Sequence, residues 1–488
     1  MSYAAAIDHL YALGHELAPP SSGVPRRKFD LAHMRVLAAA LGSPQDSFPS
    51  VLIAGTNGKG STAATLASIL TAAGYRTGLY TSPHLFRVNE RIQIDGVEIS
   101  NEAFARLYFL VDETARRLVE TGDLPHPPSF FEVLTALAFV YFAGNKGDTG
   151  SRDGASPVDI AVLEVGLGGR LDATNIVDPL LSIITDIALD HQDYLGDTIA
   201  AITGEKAGIL RANGTLITLP QHPEANQAIG EAAASLNLRA ISAASFIPHL
   251  PPRTSIPPVG LRDALSHNRY AVTVDGKSLT VNSPLRGQHQ QRNIALAIAA
   301  AVELRNNKGY TLSELEQKRN RFGYKISNEA VESGIRKTRW PGRLELITFP
   351  EGPDLLLDVA HNPAGAWSLR AAIAELPESQ PRTLLFSCLS DKNLAEMSQI
   401  LFTLFDSTSG DPERRKDHIL FAPINNPRAA SLDALVAAAR ELDIPARTAP
   451  DLAAALAQAR SITPPDGLII ATGSVYLVGE IRHLAVQE

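Results

Sequence analysis

The sequence predicts an α/β protein with two domains, each built around a mostly parallel sheet. Its 488 residues are too many for one hydrophobic core. Short apolar runs rich in β-branched residues alternate with longer helical patterns, which is typical of parallel sheets flanked by helices. The alternation starts again after the charged stretch Lys318–Lys337, so we place a boundary near Thr338. The predicted domains are residues 1–337 and a smaller second unit, residues 338–488.

In the first domain, the apolar runs predicted to be strands are Val51–Ala54, Thr77–Tyr80, Asp159–Val165, Leu180–Asp186 and Thr215–Leu219. The segments predicted to be helices are Ser61–Ala73, Asn101–Glu120, Phe130–Phe142, Thr198–Leu210 and Gln290–Glu303, and Met1–Leu17 has a further amphipathic helical pattern. A hairpin is predicted at Tyr270–Val281, turning on Asp275-Gly276.

In the second domain, the predicted strands are Leu344–Phe349, Leu355–Val359, Thr383–Phe386, His418–Phe421 and Leu468–Ala471. The predicted helices between them are Gly365–Leu376, Leu394–Phe405, Leu432–Leu442 and Leu452–Arg460. Two segments outside these patterns, Gly144–Pro157 and Pro248–Pro258, are rich in glycine or proline and are predicted to be surface insertions.

The composition excludes several classes of protein. Hydrophobic residues make up 45% and charged residues 20%, which excludes disordered and fibrous chains. The net charge of −8 creates no field that attracts nucleic acid or an anionic membrane. The single cysteine, Cys388, lies in an apolar run, so we expect a small buried hydrophobe in a reducing compartment. With neither a signal-peptide pattern nor an uncharged run of membrane-spanning length, the sequence predicts a cytoplasmic protein.

A glycine-rich loop, Gly55-Thr56-Asn57-Gly58-Lys59-Gly60-Ser61, follows the first predicted strand and leads into a helix. Glycines let several backbone N–H groups face one anion, the helix N-terminus adds partial positive charge, and Lys59 adds a formal charge. The loop departs from the strict P-loop pattern, because only two residues separate its first two glycines and Gly60 intervenes between Lys59 and Ser61. A turn with an incidental surface lysine is the alternative, but the strand–loop–helix context favours phosphate binding.

Polar side chains follow other predicted strands of this domain. Ser82 lies in a Ser-Pro sequence after the second strand, and an ordinary turn is its simplest interpretation. Glu164 lies in a buried strand, where an unpaired carboxylate is costly, so a Mg²⁺ ligand is favoured. The glycine-rich segment after it permits close approach of a ligand, and Arg170 and Asp172 offer polar contacts. Because Mg²⁺ prefers oxygen, chemistry alone makes His191 a satisfied polar residue or a general base.

Further residues have open interpretations. Lys206 lies at the apolar end of a predicted helix, and a surface lysine paired with Glu205 is its simplest interpretation. Arg343 follows the domain boundary, where a clamp on a phosphate from the facing domain and a structural salt bridge are equally good explanations. Asp358 and His361 lie where a strand of the second domain leads into a helix, at the edge of the sheet where α/β proteins bind ligands.

Taken together, these strings resemble the Mur-ligase superfamily of ATP-dependent amide-bond ligases, and within it the folylpolyglutamate synthase/dihydrofolate synthase family. The resemblance covers nearly the whole chain and rests on strings in the expected order: GTNGKGS, TSPHL, FE, LEVGLGGRLDATN, LDH, GEKAGI, GQHQQRN, WPGR, DVAHNP, SDKN and ATGSVY. The combination of GTNGKGS with SPHL and LEVGLGGRLDATN is the most specific part.

The resemblance implies roles that the residues alone leave open. The residues that would bind ATP are Gly58, Lys59, Gly60 and Ser61 at the phosphates, with Asn293, Arg343 and Asp358 elsewhere on the nucleotide. The implied Mg²⁺ ligands are Ser82, Glu164, His191 and a carbamylated Lys206, whose anionic group would hold a second ion. The pterin or folate site would include Glu132, Leu171, Asp172 and Ala173, together with Phe29–Arg35. The implied catalytic residues are Lys59, Lys206 and His361.

The implied fold is a P-loop-type, mostly parallel N-terminal ATPase domain followed by a smaller Rossmann-like α/β domain. The implied reaction adds L-glutamate to dihydropteroate, to reduced folates or to both through an acyl phosphate. The enzyme would be a cytoplasmic monomer that uses ATP and Mg²⁺, with small-molecule substrates and neither nucleic-acid nor membrane partners.

Two other functions are weighed against this one. A UDP-muramoyl amino-acid ligase is disfavoured, because only about 50 residues precede the loop and leave no obvious UDP-binding domain. A nucleotide-dependent switch or motor would need a strict P-loop pattern and mobile nucleotide-sensing loops, and neither is evident in the sequence.

Overall fold

Two large sheets and a two-stranded hairpin organise the chain. The computed structural model describes residues 2–14, 30–144, 156–248, 265, 267–306, 323–377 and 379–486. Most of the two predicted insertions, and Phe29 of the predicted substrate-binding stretch, lie outside the described residues. The large sheets have eight and six strands, and together with their helices they confirm the predicted α/β fold class.

The first sheet is mostly parallel. Its strands are β1 (Ser50–Ala54), β2 (Thr77–Tyr80), β3 (Ile92–Ile94), β4 (Val97–Glu98), β5 (Ile160–Glu164), β6 (Leu181–Ile184), β7 (Thr215–Thr218) and β8 (Arg239–Ser242). They lie in the order β4-β3-β2-β5-β1-β6-β7-β8, with β3 and β4 antiparallel to their neighbours. Every strand predicted for this domain is present, with ends within two residues of the prediction. The sequence does not predict β3, β4 and β8; β4 and β8 are largely exposed and lack apolar runs.

The described helices of this part of the chain are Tyr3–Ala12, Leu31–Ala40, Lys59–Ala72, Asn101–Glu120, Phe130–Ala143, Gln192–Leu195, Ile199–Lys206, Pro223–Ser235, His289–Asn306 and Asn328–Lys337. The predicted helices are all present within the described residues, although Thr198–Leu210 divides into an α-helix and a short 3₁₀ turn, Ala207–Ile209, and the ends of the Met1–Leu17 pattern lie outside these residues. None of the described helices has both the length and the hydropathy that a membrane crossing requires.

The helix Asn328–Lys337 lies inside the stretch whose charges mark the predicted domain boundary. Its polar face carries the last four of those charges, Glu329, Glu332, Arg336 and Lys337, while Val331 and Ile335 on the other face are buried in the core. Gly334 lies directly against the backbone of Ile69, and Ser68 Oγ donates to the Gly334 carbonyl oxygen at 2.7 Å. This helix therefore packs on the phosphate-loop helix of the first domain. The boundary near Thr338 follows its end and stays a prediction.

The predicted hairpin is confirmed, with β9 (Asn268–Val274) antiparallel to β10 (Lys277–Ser283). Both residues of its turn have positive φ, 48° at Asp275 and 74° at Gly276. Such a turn matches the twist of the strands and explains why Asp-Gly is a strong local signal.

The second sheet is smaller. Its strands are β11 (Glu345–Ile347), β12 (Asp354–Leu357), β13 (Arg382–Phe386), β14 (His418–Phe421), β15 (Arg447–Thr448) and β16 (Leu468–Thr472), in the order β11-β12-β16-β13-β14-β15 with only β11 antiparallel. Its helices are Pro363–Ile373, Leu394–Leu401, Leu432–Glu441, Leu452–Ile462 and Val475–Val486. The predicted strands are confirmed within two residues, and Cys388 is buried as predicted. The sequence does not predict β15 or the helix Val475–Val486.

The second domain meets the first at the carboxyl edge of the first sheet. After β1, Asn57 lies within hydrogen-bond distance of Asn362, at 3.1 Å. After β2, the carbonyl of Leu85 lies so close to Gly479 that a Cβ there would overlap it. Beside it, the ring of Phe86 stacks on His483, with 3.8 Å between ring centroids. The polar strand ends of the first domain therefore face the second domain.

Candidate active site

The glycine-rich loop lies between β1 and the helix that begins at Lys59. Gly58 has a φ of +89°, and a Cβ at that position would overlap the side-chain oxygen of Asn293. The Lys59 Nζ lies 3.2 Å from the carbonyl oxygens of both Gly55 and Thr56. The cation is thus held over the loop at the start of a helix, where backbone N–H groups and the helix dipole also favour an anion.

Gly60 and Ser61 are buried in the first turn of that helix, and Gly60 lies against the ring of Trp340. We expect Gly60→Ala to weaken ADP binding about tenfold, because a Cβ would overlap the ring and displace the helix N-terminus whose N–H groups would face the phosphates. Calorimetric titration with ADP measures this change. Gly230→Ala is the matched control, since its Cβ meets no atom within 4 Å in the helix Pro223–Ser235. Equal affinities for Gly60→Ala and the wild type would refute the packing role.

The residues predicted to ligate Mg²⁺ follow three strands of the first sheet. Ser82 comes after β2, Glu164 ends β5 and His191 comes after β6. The Ser82 N–H donates to Glu164 Oε2 at 3.1 Å. Glu164 is 4% exposed, and burial raises its pKa to about 7 against the opposing charge of Lys59. A buried carboxylate here is stabilised by a cation, so the residues present fit a Mg²⁺ ion.

His191 starts the short helix Gln192–Leu195 with a φ of +52°. Burial lowers its pKa to about 3, so the ring is neutral at neutral pH and a ring nitrogen can serve as a ligand. Within the described ranges, no three His, Cys, Asp or Glu side chains form a metal site by themselves. A site built on Ser82, Glu164 and His191 would thus rely on phosphate oxygens and water for its other positions, as Mg²⁺ at a nucleotide commonly does.

Lys206 is buried, so its simplest interpretation from the sequence, a surface lysine paired with Glu205, is wrong. Glu205 pairs instead with Arg170 at 3.2 Å, while Lys206 is 4% exposed and its Nζ donates to the Gly55 carbonyl oxygen at 2.8 Å. Burial, together with the nearby charge of Lys59, lowers the pKa of Lys206 to about 7. Two lysine amines therefore share one carbonyl oxygen of the phosphate loop, in an arrangement that favours an uncharged or anionic group at Lys206.

Arg343 and Asp358 bring charged groups of the second domain to the same place. Asp358 is 6% exposed, and its two carboxylate oxygens each accept a backbone N–H bond of 2.9 Å. The guanidinium of Arg343 lies over the ring of Trp340, at 6.0 Å from its centroid. Burial lowers the pKa of Arg343, and the charges of Asp358 and Glu164 oppose this lowering. Arg343 therefore lies within electrostatic reach of an acid from each domain.

Two adjoining cavities contain the predicted site residues. A cleft of about 180 Å³ between the domains is lined by every residue predicted to bind ATP or Mg²⁺, and by His361. A more apolar cavity of about 290 Å³ is lined by the residues predicted for the pterin or folate, Glu132, Leu171, Asp172 and Ala173, and by Asp30, Leu31 and Met34 of the predicted substrate-binding stretch. Both cavities include Ser82, His191 and His361 in their walls. A group held in one cavity can therefore reach a group held in the other.

Two predicted substrate residues are strongly engaged in local structure. The Asp172 carboxylate accepts N–H bonds of 3.0 Å from Gly166, Leu167 and Thr174. The Glu132 carboxylate accepts bonds from the Ser129 N–H and hydroxyl and so forms a capping box at its helix. Both acids line the apolar cavity but chiefly hold its walls in place, whereas Leu171 is a large apolar side chain that remains 45% exposed.

Sequence reasoning gave no role to three charged residues beside the junction of the cavities. Asp190 is buried and pairs with Lys392 across the domains, with 2.7 Å between Nζ and Oδ1. Lys392 and Arg428 line the apolar cavity from the second domain. The buried Nε of Arg428 makes no hydrogen bond within the described part of the chain. Lys392 lies in the SDKN string and Asp190 in the LDH string, so a signal existed for both, but their pairing depends on how the domains dock.

Comparisons with known proteins agree with these observations. The Mur ligase middle domain matches residues 151–301, and the Mur ligase, glutamate ligase domain matches residues 342–475. The chain is 33% identical over 462 residues to the dihydrofolate synthase/folylpolyglutamate synthase of Bacillus subtilis, covering 93% of this chain and 94% of that protein.

Solved structures are similar over the whole chain. A Mycobacterium tuberculosis folylpolyglutamate synthase complexed with ADP and AMPPCP has a TM-score of 0.79 and 30% identity, covering 100% of this chain and 99% of that one. Escherichia coli FolC in complex with DHPP and ADP has a TM-score of 0.74 and 27% identity, with 100% and 98% covered.

Proposed function

The chain belongs to the folylpolyglutamate synthase/dihydrofolate synthase family of ATP-dependent ligases, and we propose that it adds L-glutamate to dihydropteroate, to reduced folates or to both. The observation that carries this proposal is the junction of the two cavities at Ser82, His191 and His361. A flat apolar substrate in the larger cavity would extend its carboxylate to this junction, where the terminal phosphate of ATP held by the glycine-rich loop would also lie.

The proposed reaction has two steps. The substrate carboxylate attacks the γ-phosphorus of ATP, which forms an acyl phosphate and releases ADP. The amino group of L-glutamate then attacks the acyl carbon, a proton leaves the nitrogen, and inorganic phosphate departs as the amide forms. The ATP therefore converts a carboxylate, which an amine does not attack, into a reactive acyl group.

The residues of the cleft have complementary roles in this proposal. Lys59 and Arg343 would offset the negative charge that spreads over the transferring phosphoryl group. Ser82, Glu164 and His191 would hold one Mg²⁺, and a carbamate on Lys206 a second; when bound, these ions would stabilise charge on the phosphate oxygens. His361 lies at the junction, where its ring would orient the reacting groups. Contact between the domains would exclude water from the acyl phosphate.

L-glutamate would bind between the acyl phosphate and the second domain. Lys392 and Arg428 are the cationic side chains on that wall of the apolar cavity. Lys392 already contacts Asp190, but an ammonium has three donors. The Nε of Arg428, which has no hydrogen-bond partner among the residues that the structure describes, offers a donor to an anion. We propose that these two residues hold the carboxylates of the incoming amino acid.

Product analysis with dihydropteroate and tetrahydrofolate in parallel tests the proposed reaction. With MgATP, phosphate release should require both L-glutamate and a pterin substrate, and mass spectrometry should find one glutamate or more added. Omission of either substrate is the control. Turnover with a UDP-muramoyl substrate instead would contradict the proposal. Product formation from one pterin but not the other would decide between a single and a dual activity.

We also propose that the enzyme is a cytoplasmic monomer. The single cysteine is buried, and burial raises its pKa to about 12, which suits a protein whose fold depends on no disulfide. All of the predicted site residues that line the two cavities come from one chain, which supports a monomeric enzyme. Light scattering coupled to size-exclusion chromatography should give the mass of a single chain, 52.2 kDa.

A further inference from the structure

Asp190 is a buried acid of the first domain whose partners come largely from the second domain. Its side chain is 8% exposed. The second domain supplies Lys392 at 2.7 Å from Oδ1, and Asn362 at 3.0 Å and the His361 ring at 3.7 Å from Oδ2. The first domain adds the backbone N–H of His191, at 2.9 Å from Oδ1. We call Asp190, His361, Asn362 and Lys392 the Asp190 cluster.

The burial of the Asp190–Lys392 ion pair depends on the docking of the two domains. Lys392 is 5% exposed at its side chain, so both members of the ion pair are almost fully removed from water. A carboxylate and an ammonium tolerate such burial only when each is paired and hydrogen-bonded. Since the two residues are on different domains, separation of the domains would break the pair and return both charges to water. The pair is therefore a contact of the docked arrangement alone.

The same cluster is connected to the phosphate loop and to the junction of the cavities. Asn362 bonds to Asp190 and also to Asn57 Oδ1 in the loop, at 3.1 Å. The Asn362 side chain further accepts the Gly365 N–H at 2.8 Å and so caps the helix Pro363–Ile373. His361 precedes it and lies in the walls of both cavities. Docking onto Asp190 thus sets the positions of His361 and Lys392 relative to the loop.

From this geometry we propose that Asp190 is a positioning residue that holds the second domain in its catalytic arrangement. Its carboxylate collects Lys392, His361 and Asn362 when the domains meet, and it acts on the substrates through these residues. This role of Asp190 extends the proposed ligase function. Only the measurement of enzyme activity depends on that function being correct. The structural readout, which is the distance between the domains, is independent of the reaction.

Small-angle X-ray scattering of the full chain with ADP tests the structural part. Asp190→Asn removes the charge but keeps the shape, and we expect a larger radius of gyration than for the wild type. Lys392→Met, a change in the second domain, should also increase the radius of gyration, because it leaves the Asp190 carboxylate buried without its cation. The double variant lacks both charges, so its radius should return toward the wild-type value.

Asp197→Asn is the matched control, since it makes the same charge change at an exposed residue of the same segment. It should scatter like the wild type. If Asp190→Asn and Lys392→Met both keep the wild-type radius of gyration, the proposal is wrong. If Asp190→Asn does not fold, the single Lys392→Met variant and its thermal melting still decide the question.

Steady-state kinetics and ADP titration test the functional part. Asp190→Asn should lower kcat about 10- to 100-fold and weaken ADP binding by a smaller factor, because the glycine-rich loop belongs to the first domain and only Arg343 and Asp358 would contact the nucleotide from the second. A lower kcat with an unchanged radius of gyration would assign Asp190 to the chemistry itself and overturn the proposal. So would a loss of Mg²⁺ affinity without a change of radius. If the wild type shows no ligase turnover, the proposed function fails, while the scattering result still stands for the cluster.

Discussion

Lys59→Ala is expected to lower kcat about 10²- to 10³-fold. Enzymes typically lose this much when they lose one preorganised group that stabilises negative charge developing in the transition state. The amine of Lys59 is held over the glycine-rich loop by the carbonyl oxygens of Gly55 and Thr56. The site is enclosed by two domains, so this charge acts in a medium of lower dielectric than water, where its effect is large. The loss should be greater in kcat than in ADP affinity, because the negative charge that Lys59 would offset is greatest in the transition state.

Steady-state kinetics with saturating pterin and glutamate measure this effect, and calorimetric titration with ADP separates binding from chemistry. Lys59→Arg restores the charge but not the reach of the amine, so we expect it to recover part of the rate. Lys337→Ala, at an exposed lysine in the last turn of its helix, is the control for loss of a positive charge. A Lys59→Ala enzyme within about threefold of the wild-type rate would contradict the role.

The sheets could be predicted because their central strands are buried on both faces. Runs such as Val51–Ala54 and Leu468–Ala471 are continuously apolar, short and flanked by glycine, proline or serine, which favours a buried strand over a helix. The edge strands β4 and β8 are exposed and have no such run, so sequence patterns do not separate them from loops. The helix Asn328–Lys337 escaped prediction for a related reason, since its charged face dominates its composition.

The residues of the candidate site also fall into two groups, those that the sequence alone indicates and those that it does not. The glycine-rich loop and Glu164 are local signals, because a glycine pattern between strand and helix and an acid in an apolar strand are unusual by themselves. Lys206 and Asp190 are not local signals. Lys206 meets the carbonyl of Gly55, which is 151 residues away, and Asp190 meets Lys392 at a separation of 202 residues. Such distant partners decide whether a side chain at the end of a helix or strand faces the core or the solvent, and sequence patterns do not contain this information.

Lys206→Ala is expected to lower kcat at least 100-fold, the other large effect that the site predicts. The buried amine shares the Gly55 carbonyl oxygen with Lys59, so two ammonium groups would repel each other there. Reaction of the neutral amine with CO₂ would form an N–C bond, release a proton and give an anionic carbamate, which would relieve the repulsion and could supply oxygen ligands for Mg²⁺. Because the pKa of Lys206 is about 7, much of the amine is neutral at physiological pH and able to react.

Activity measurements distinguish this role from a structural one. If Lys206 carries a carbamate, acetate in the buffer should partly restore Lys206→Ala, because it can place a carboxylate in the space that the carbamate would fill. Lys206→Glu should keep more activity than Lys206→Gln, since the two differ in charge but hardly in shape. An acetate-insensitive Lys206→Ala enzyme, together with equal activities of the Glu and Gln variants, would count against carbamylation.

The pH dependence of stability gives a further test of the same residue. The pKa of Lys206 falls from its usual 10.5 to about 7 in the folded protein because of burial. Between these values the unfolded chain binds more protons than the folded one, so stability rises with pH across this window. Below pH 7 both states are protonated, and the buried ammonium destabilises the fold in full.

In CO₂-free buffer with a chelator, Lys206→Met should therefore have a higher free energy of unfolding than the wild type at pH 6. This difference in free energy should become smaller toward pH 10. Bicarbonate at pH 8 should stabilise the wild type and leave Lys206→Met unchanged, because only the lysine can form the carbamate; denaturant titrations at these pH values measure both effects.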